Sequence, residues 1–246
     1  MSTATPRSPF LLGFRLSSRA AGDYTDDLPA LRPVERIALD PRVTFLVGEN
    51  GSGKSTLVEA LAVALKLNAE GGGRSYQFGF TTRRTHARLH RRLELEWASL
   101  PPRNSFFLRA ESVFNLATAI ESTGSVGEMQ KVYEQPIHEQ SHGESFLDIA
   151  LNRLAPNGLY LLDEPEAALS VRGQLALMQR MHELLDRDCQ FVVATHSPVL
   201  VGFPGATILQ LDDDGVGRIE YDAVPQVELT RSFLDEPERF LRHLLA

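Results

Sequence analysis

Apolar residues fall in short runs at spacings that change along the chain. Phe10-Leu11-Leu12-Gly13-Phe14-Arg15-Leu16 reads as a first strand, and Val43-Thr44-Phe45-Leu46-Val47 as a parallel strand buried on both faces. Leu57, Leu61, Ala64 and Leu65 then recur at helical spacing. Between the two strands, residues 17–41 are polar and punctuated by proline, with one short element near Val34 to Leu39. Glu70-Gly71-Gly72-Gly73-Arg74 reads as a flexible connection. After it the period changes: Leu89, Leu93, Leu95 and Trp97 alternate with His90, Arg92, Glu94 and Glu96, as in a half-exposed antiparallel strand. Ser105 to Arg109 is expected to return to the main sheet.

The remaining pattern predicts a helix over 113–120, a helix over 143–154 and a strand over 158–162. A helix over 171–185 and a strand over 190–194 follow. Thr207 to Leu211 and Gly217 to Tyr221 flank Asp212-Asp213-Asp214-Gly215 as a hairpin. A last helix has Asp235 as N-cap and Pro237 in its first turn. The expected architecture is an α/β domain over residues 1–246, with a mainly parallel central sheet flanked by helices. It carries an antiparallel β subdomain over 75–109 and a short helical or irregular insertion over 111–140. A hairpin and helix over 206–246 complete it, and residues 1–9 form a disordered tail.

Composition narrows the environment more than the chemistry. The 246 residues are 43% hydrophobic and 23% charged, as in an ordinary soluble globular domain. A net charge of −7 gives no bulk support to nucleic-acid binding. A single cysteine, Cys189, fits a reducing cytoplasm. Residues 1–9 lack the apolar core of a signal peptide, and no run reaches the roughly 18 apolar residues of a membrane span. Direct membrane insertion is not expected.

The candidate chemistry begins at Gly48-Glu49-Asn50-Gly51-Ser52-Gly53-Lys54-Ser55, which fits the G-x-x-x-x-G-K-[ST] loop between a strand and a helix. Glycines let the backbone turn its N–H groups onto phosphate oxygens, and the helix N-terminus adds partial positive charge. Gly48, Asn50, Gly51, Ser52, Gly53, Lys54, Ser55 and Thr56 are the expected phosphate contacts, Ser55 also holding Mg²⁺. Leu159-Tyr160-Leu161-Leu162-Asp163-Glu164-Pro165 runs four apolar residues into two carboxylates. Such pairs reach one site only where a strand ends, so Asp163 is expected on the metal and Glu164 as general base. Ala194-Thr195-His196-Ser197-Pro198 ends another apolar strand, placing His196 to hydrogen-bond a terminal phosphate. Gln140-Ser141-His142-Gly143-Glu144-Ser145 opens a helix with a capping serine, an anion site in miniature.

In this order the four motifs resemble the ABC-ATPase branch of the P-loop NTPases, over roughly residues 10–211, closest to stand-alone ATPases related to the RecF and SMC branch. The resemblance implies ATP and Mg²⁺ as ligands, and hydrolysis in an ATP-sandwiched homodimer. Ser141 and Gly143 match the family's signature Ser and second Gly, which contact the neighbour's nucleotide; His142 and Glu144 depart from it. Glu111 stands where the family's Q-loop Gln is expected, and is carried as a metal candidate. Glu166-Ala167-Ala168-Leu169-Ser170 resembles the D-loop, with Ser170 replacing its Asp. Phe10, Phe14 and Tyr24 are the aromatic candidates for stacking adenine.

Two other signals compete. His138-Glu139-Gln140-Ser141-His142 fits the zinc-protease H-E-x-x-H pattern, but Gly143 interrupts the continuous helix which that site requires. Arg83, Arg84, His86, Arg88, His90, Arg91 and Arg92 form the one basic cluster able to grip DNA, although Glu94 and Glu96 share its strand. The candidate partners are therefore ATP, a second copy of the chain and DNA. The alternatives are a transporter's nucleotide-binding subunit with a separate membrane partner, and a non-catalytic ATP-dependent switch.

Overall fold

The computed structural model describes residues 10–18, 20–69, 71–73, 88–98, 101–102, 104–112 and 142–245. In chain order these form β1 (Leu11–Leu16), β2 (Arg36–Ala38), β3 (Val43–Gly48), α1 (Lys54–Ala64), β4 (Gly72–Gly73), β5 (Leu93–Trp97) and β6 (Asn104–Arg109). There follow α2 (His142–Arg153), β7 (Gly158–Asp163), α3 (Val171–Leu185), β8 (Gln190–Ala194), β9 (Thr207–Asp212), β10 (Gly215–Ile219), α4 (Pro225–Asp235) and α5 (Pro237–Leu244).

The central sheet has the order β10-β9-β3-β8-β7-β6-β4. Its five inner strands run parallel, and β10 and β4 close the edges antiparallel. The near-continuous apolar runs are explained by burial on both faces. Phe45, Val47, Tyr160, Leu162, Phe191 and Val193 enter one core with α2 and α3. Leu46, Leu159, Leu161, Val192 and Ala194 enter the other. On that second side α1 lies between the sheets, which is why Leu57, Val58, Ala60, Leu61 and Ala62 are buried without a clear polar face.

The outer sheet has the order β2-β1-β5, all antiparallel. Phe14, Leu11 and Ile37 give it a buried apolar side. Glu96 spans its exposed side, bonding Arg15 and Arg36 at 2.8 Å each. One polar side chain joins the two sheets. Gln190, 1% exposed, accepts from Leu11 N at 2.9 Å and donates to Leu11 O and Asp40 O at 2.8 Å. Its amide thus completes the backbone pairing of a strand from the other sheet.

Several sequence expectations change here. The antiparallel unit expected over 75–109 is drawn from residues 11–16, 36–38 and 93–97, because β5 finds its partner in β1 and not in a neighbouring hairpin. Residues 104–109 belong to the central sheet, Leu89 sits in a 3₁₀ turn, and residues 75–87 lie outside the described residues. The connection at Gly71–Gly73 contains a strand, its glycines letting the backbone lie close along Phe106 and Phe107. The C-terminal segment holds two helices: Asp235 ends α4, and Glu236 precedes α5 with no side-chain cap. Pro237 at the start of α5 explains the break. The helix expected over 113–120 lies outside the described residues, and of the expected 111–140 insertion only residues 111–112, the end of a 3₁₀ turn at Ala110–Ser112, are described. Among the described residues no helix is long and apolar enough to cross a membrane.

Candidate nucleotide site

Strand β3 ends in Gly48, and the loop that follows delivers Lys54 to the first position of α1. Gly48 has φ 153°, and a Cβ there would lie 2.3 Å from the Leu211 carbonyl oxygen of the neighbouring strand. Gly53 caps α1 in the left-handed region at φ 96°. Lys54 is 3% exposed. Its Nζ donates to Gly48 O and Glu49 O at 2.9 Å, and approaches Ser52 Oγ at 3.5 Å. The ammonium is therefore held inside the loop by backbone carbonyls. Burial lowers its pKa from the ordinary lysine value, against the opposing pull of Glu164, Asp163, Glu166 and Glu49.

Two strands away, β7 ends in Asp163. Glu164 has φ 48° and ψ 50°, a left-handed conformation costing a non-glycine residue on the order of 1–3 kcal/mol. The kink breaks the strand's alternation, so adjacent carboxylates line one cleft of about 200 Å³ with Ser55, Arg109 and Glu111. Asp163 is 3% exposed. Its Oδ2 accepts from Arg109 Nε at 2.9 Å, while Oδ1 is buried without a hydrogen-bond partner. Burial raises its pKa, opposed chiefly by the charge of Arg109.

Strand β8 delivers the third motif. His196 Nε2 stands 3.8 Å from Glu164 Oε1, and Ser55 Oγ lies 3.5 Å from the same oxygen. Glu166 clamps the histidine loop from below: its carboxylate accepts from Thr195 Oγ1 at 2.7 Å and from His196 N at 2.5 Å. A groove of about 350 Å³ connects these groups, lined by Tyr24, Leu28, Asn50, Gly51, Gly53, Lys54, Ser55, Thr56, Glu164 and His196.

The comparisons with known proteins bear on this arrangement. A family model described as "AAA domain" matches residues 30–91, and one described as "AAA domain, putative AbiEii toxin, Type IV TA system" matches residues 133–202. The chain is 30% identical over 189 residues to the zinc import ATP-binding protein ZnuC 1 of Hahella chejuensis, covering 73% of this chain and 68% of that protein. The chain belongs to the ABC-type P-loop ATPases. The ZnuC protein of Vibrio vulnificus is 27% identical over 188 residues, 76% of this chain and 69% of its own. Among solved structures, cbiO1 of Clostridium perfringens, part of the ABC transporter complex cbiONQ, superposes with a TM-score of 0.51. It shares 16% identity and covers 96% of this chain and 99% of that one, a likeness of fold.

In this ABC-type ATPase the loop residues, Asp163, Glu164 and His196 converge on the C-terminal edge of the parallel strands, where ligands of such sheets bind. Glu111 lines the carboxylate cleft but is itself exposed. Gly143 stands in the first turn of α2, and Ser141 lies outside the described residues, as do His138 and Glu139 of the zinc-protease pattern. Of the aromatic candidates, Phe14 is fully buried in the core and Phe10 packs against it, which removes both from the groove. Tyr24 is 60% exposed at the groove's rim, its OH 3.5 Å from Thr56 Oγ1.

Within the basic cluster, Arg92 is turned inward, donating to Ser17 O at 3.2 Å and lying 3.5 Å from Asp26, and Arg88 N donates to Asp23 at 2.5 Å. Those contacts hold the acidic turn that carries Tyr24. Arg83, Arg84 and His86 lie outside the described residues.

Two members of the site were given no chemical role by the sequence, although Glu166 heads the stretch that resembles the D-loop. Arg109 ends β6 directly beside Asp163 in the strand register. Glu166 holds the backbone of His196. A charged residue closing an apolar strand at Arg109 was the available signal, but its partner is 54 residues away.

Proposed function

We propose that this protein binds and hydrolyses Mg-ATP, closing as a head-to-tail homodimer around two nucleotides. The observation that carries the reading is the convergence of Lys54, Ser55, Asp163, Glu164 and His196 on one connected groove. Lys54 releases the Gly48 and Glu49 carbonyls and turns its ammonium to the β and γ phosphates. Loop N–H groups and the start of α1 hold the phosphate oxygens, with Thr56 alongside and Tyr24 stacking on the base. Glu164 accepts a proton from the attacking water, and His196 donates a hydrogen bond to the terminal phosphate.

The donor set fits Mg²⁺: an orphaned carboxylate oxygen on Asp163 and the Ser55 hydroxyl are both hard oxygen ligands. When bound, the ion would neutralise charge on the β and γ phosphates. Glu111 is a candidate outer contact. Ser141 and Gly143, at the opening of α2, are assigned to the partner's nucleotide. A helix N-terminus stabilises an anion by only about 0.3–2 kcal/mol, so closure draws on both nucleotides and reverses after hydrolysis.

The identity with zinc import ATP-binding proteins supports a second reading, in which a separate membrane protein uses the same cycle. The resemblance to RecF and SMC proteins makes DNA a third candidate partner. Light scattering on Glu164→Gln protein tests the reading: Mg-ATP is expected to double the mass while turnover falls at least about 100-fold. A mass unchanged by Mg-ATP would sink the homodimer. Addition of duplex DNA separates the partners, since DNA that alters neither mass nor wild-type turnover removes the DNA reading.

A further inference from the structure

Arg109 is fixed more firmly than its place at a strand end requires. Its Nε donates to Asp163 Oδ2 at 2.9 Å, one Nη bonds Glu59 on α1 at 3.0 Å, and its guanidinium lies 5.3 Å from the centroid of the Phe107 ring. Strand register sets Arg109 beside Asp163, and Phe107, two residues back, falls on the same side of β6. The three partners come from α1, β7 and β6 itself. Burial alone would weaken the arginine's hold on its proton, but Asp163 and Glu59 more than compensate, so the cation is permanent.

This arrangement leaves the carboxylate of Asp163 asymmetric. Oδ2 is capped by the guanidinium, whereas Oδ1 is buried without a partner beside the cleft that Ser55, Glu111 and Glu164 also line. A cation entering the cleft meets one free oxygen of Asp163, directly or through water. Ca²⁺ takes six to eight oxygens at longer distances and readily uses a carboxylate through both oxygens. Mg²⁺ and Mn²⁺ are smaller; Mg²⁺ in particular requires an octahedron, keeps several waters and is satisfied by single oxygens.

We propose that Arg109 is a specificity-determining residue for the divalent ion: by occupying Oδ2 of Asp163 it selects a small octahedral cation over Ca²⁺. Glu59 and Phe107 are positioning residues that hold the guanidinium in place. The inference rests on the nucleotide-metal reading of the site given above.

The test measures metal affinity, not turnover. Full-length protein loaded with ADP is titrated with Mg²⁺ and with Ca²⁺ by calorimetry, and each ion is competed against Mn²⁺ followed by its free-ion spin-resonance signal. Arg109→Met, which removes the donor at similar length, is expected to shift the Ca²⁺-to-Mg²⁺ affinity ratio toward Ca²⁺ by roughly 10-fold. Arg109→Lys keeps a cationic donor on Oδ2 and restores the ratio to within about 3-fold. An unchanged ratio in folded Arg109→Met protein overturns the proposal. Should that variant not fold, Glu59→Gln carries the test, with a smaller shift in the same direction expected and no shift overturning it. Wild-type protein that binds ADP but takes up none of the three ions would defeat the underlying site reading instead.

Discussion

At the C-terminal edge of the central sheet, charged side chains are buried: Lys54 and Asp163 each expose 3% of their surface, and Glu164 holds a strained backbone nearby. In the β2-β1-β5 sheet the buried positions are apolar, Phe14, Leu11 and Ile37, and the charges of Arg15, Arg36 and Glu96 stay at the surface. The first region spends stability to hold ions away from water; the second supplies it by removing hydrocarbon from water. A change in one should therefore be read mainly as function and in the other mainly as stability.

The largest expected effect lies in the stabilising region. Phe14→Ala is expected to lower unfolding free energy by about 3–5 kcal/mol in denaturant titrations, while the folded fraction binds ATP with unaltered affinity. A substantial loss of affinity there would break the division. Next comes Lys54→Ala, expected to weaken ATP binding by roughly 100-fold, about 2.7 kcal/mol, without lowering the denaturation midpoint, since a desolvated charge is removed along with its hydrogen bonds. Retained ATP hydrolysis in that variant would end the nucleotide-site assignment. Glu96→Gln should do least: its two ion pairs sit at the surface, so any change in melting temperature is expected to be small, to vanish in about 1 M salt and to leave nucleotide affinity untouched.

The same division explains what could be read from the chain alone. Strands β3, β7 and β8 are local apolar runs ending in motif residues, so their type and the edge that carries the chemistry follow from a few neighbouring positions. Helix α3 was legible at both ends, with Ser170 accepting from Gly173 N as its cap. The outer sheet was not legible as a unit, because β1 pairs with a strand some 80 residues later, for instance Phe14 with Leu95. Helix α4 escaped notice for another reason. It buries only Val227, so its apolar pattern carries little signal. Among site residues, Lys54, Ser55, Asp163, Glu164 and His196 could be named from spacing. Arg109 could not, and Glu166, though it heads the D-loop-like stretch, could not be tied to the His196 loop, since what marks both is contact across strands and turns. The absence of Phe14 from the groove likewise depends on which face of β1 the α1 helix covers.

Gln190 also has a bearing on the order of events during synthesis. Its amide supplies both the donor and the acceptor that Leu11 needs, yet the two residues are 179 apart. At roughly 5–20 residues per second, a ribosome would need about 10–35 s to bring the second after the first. Through that interval β1 can zip to β2 and then β5, but the seam between the two sheets stays open. The residue that locks the seam is thus translated long after the strand it joins.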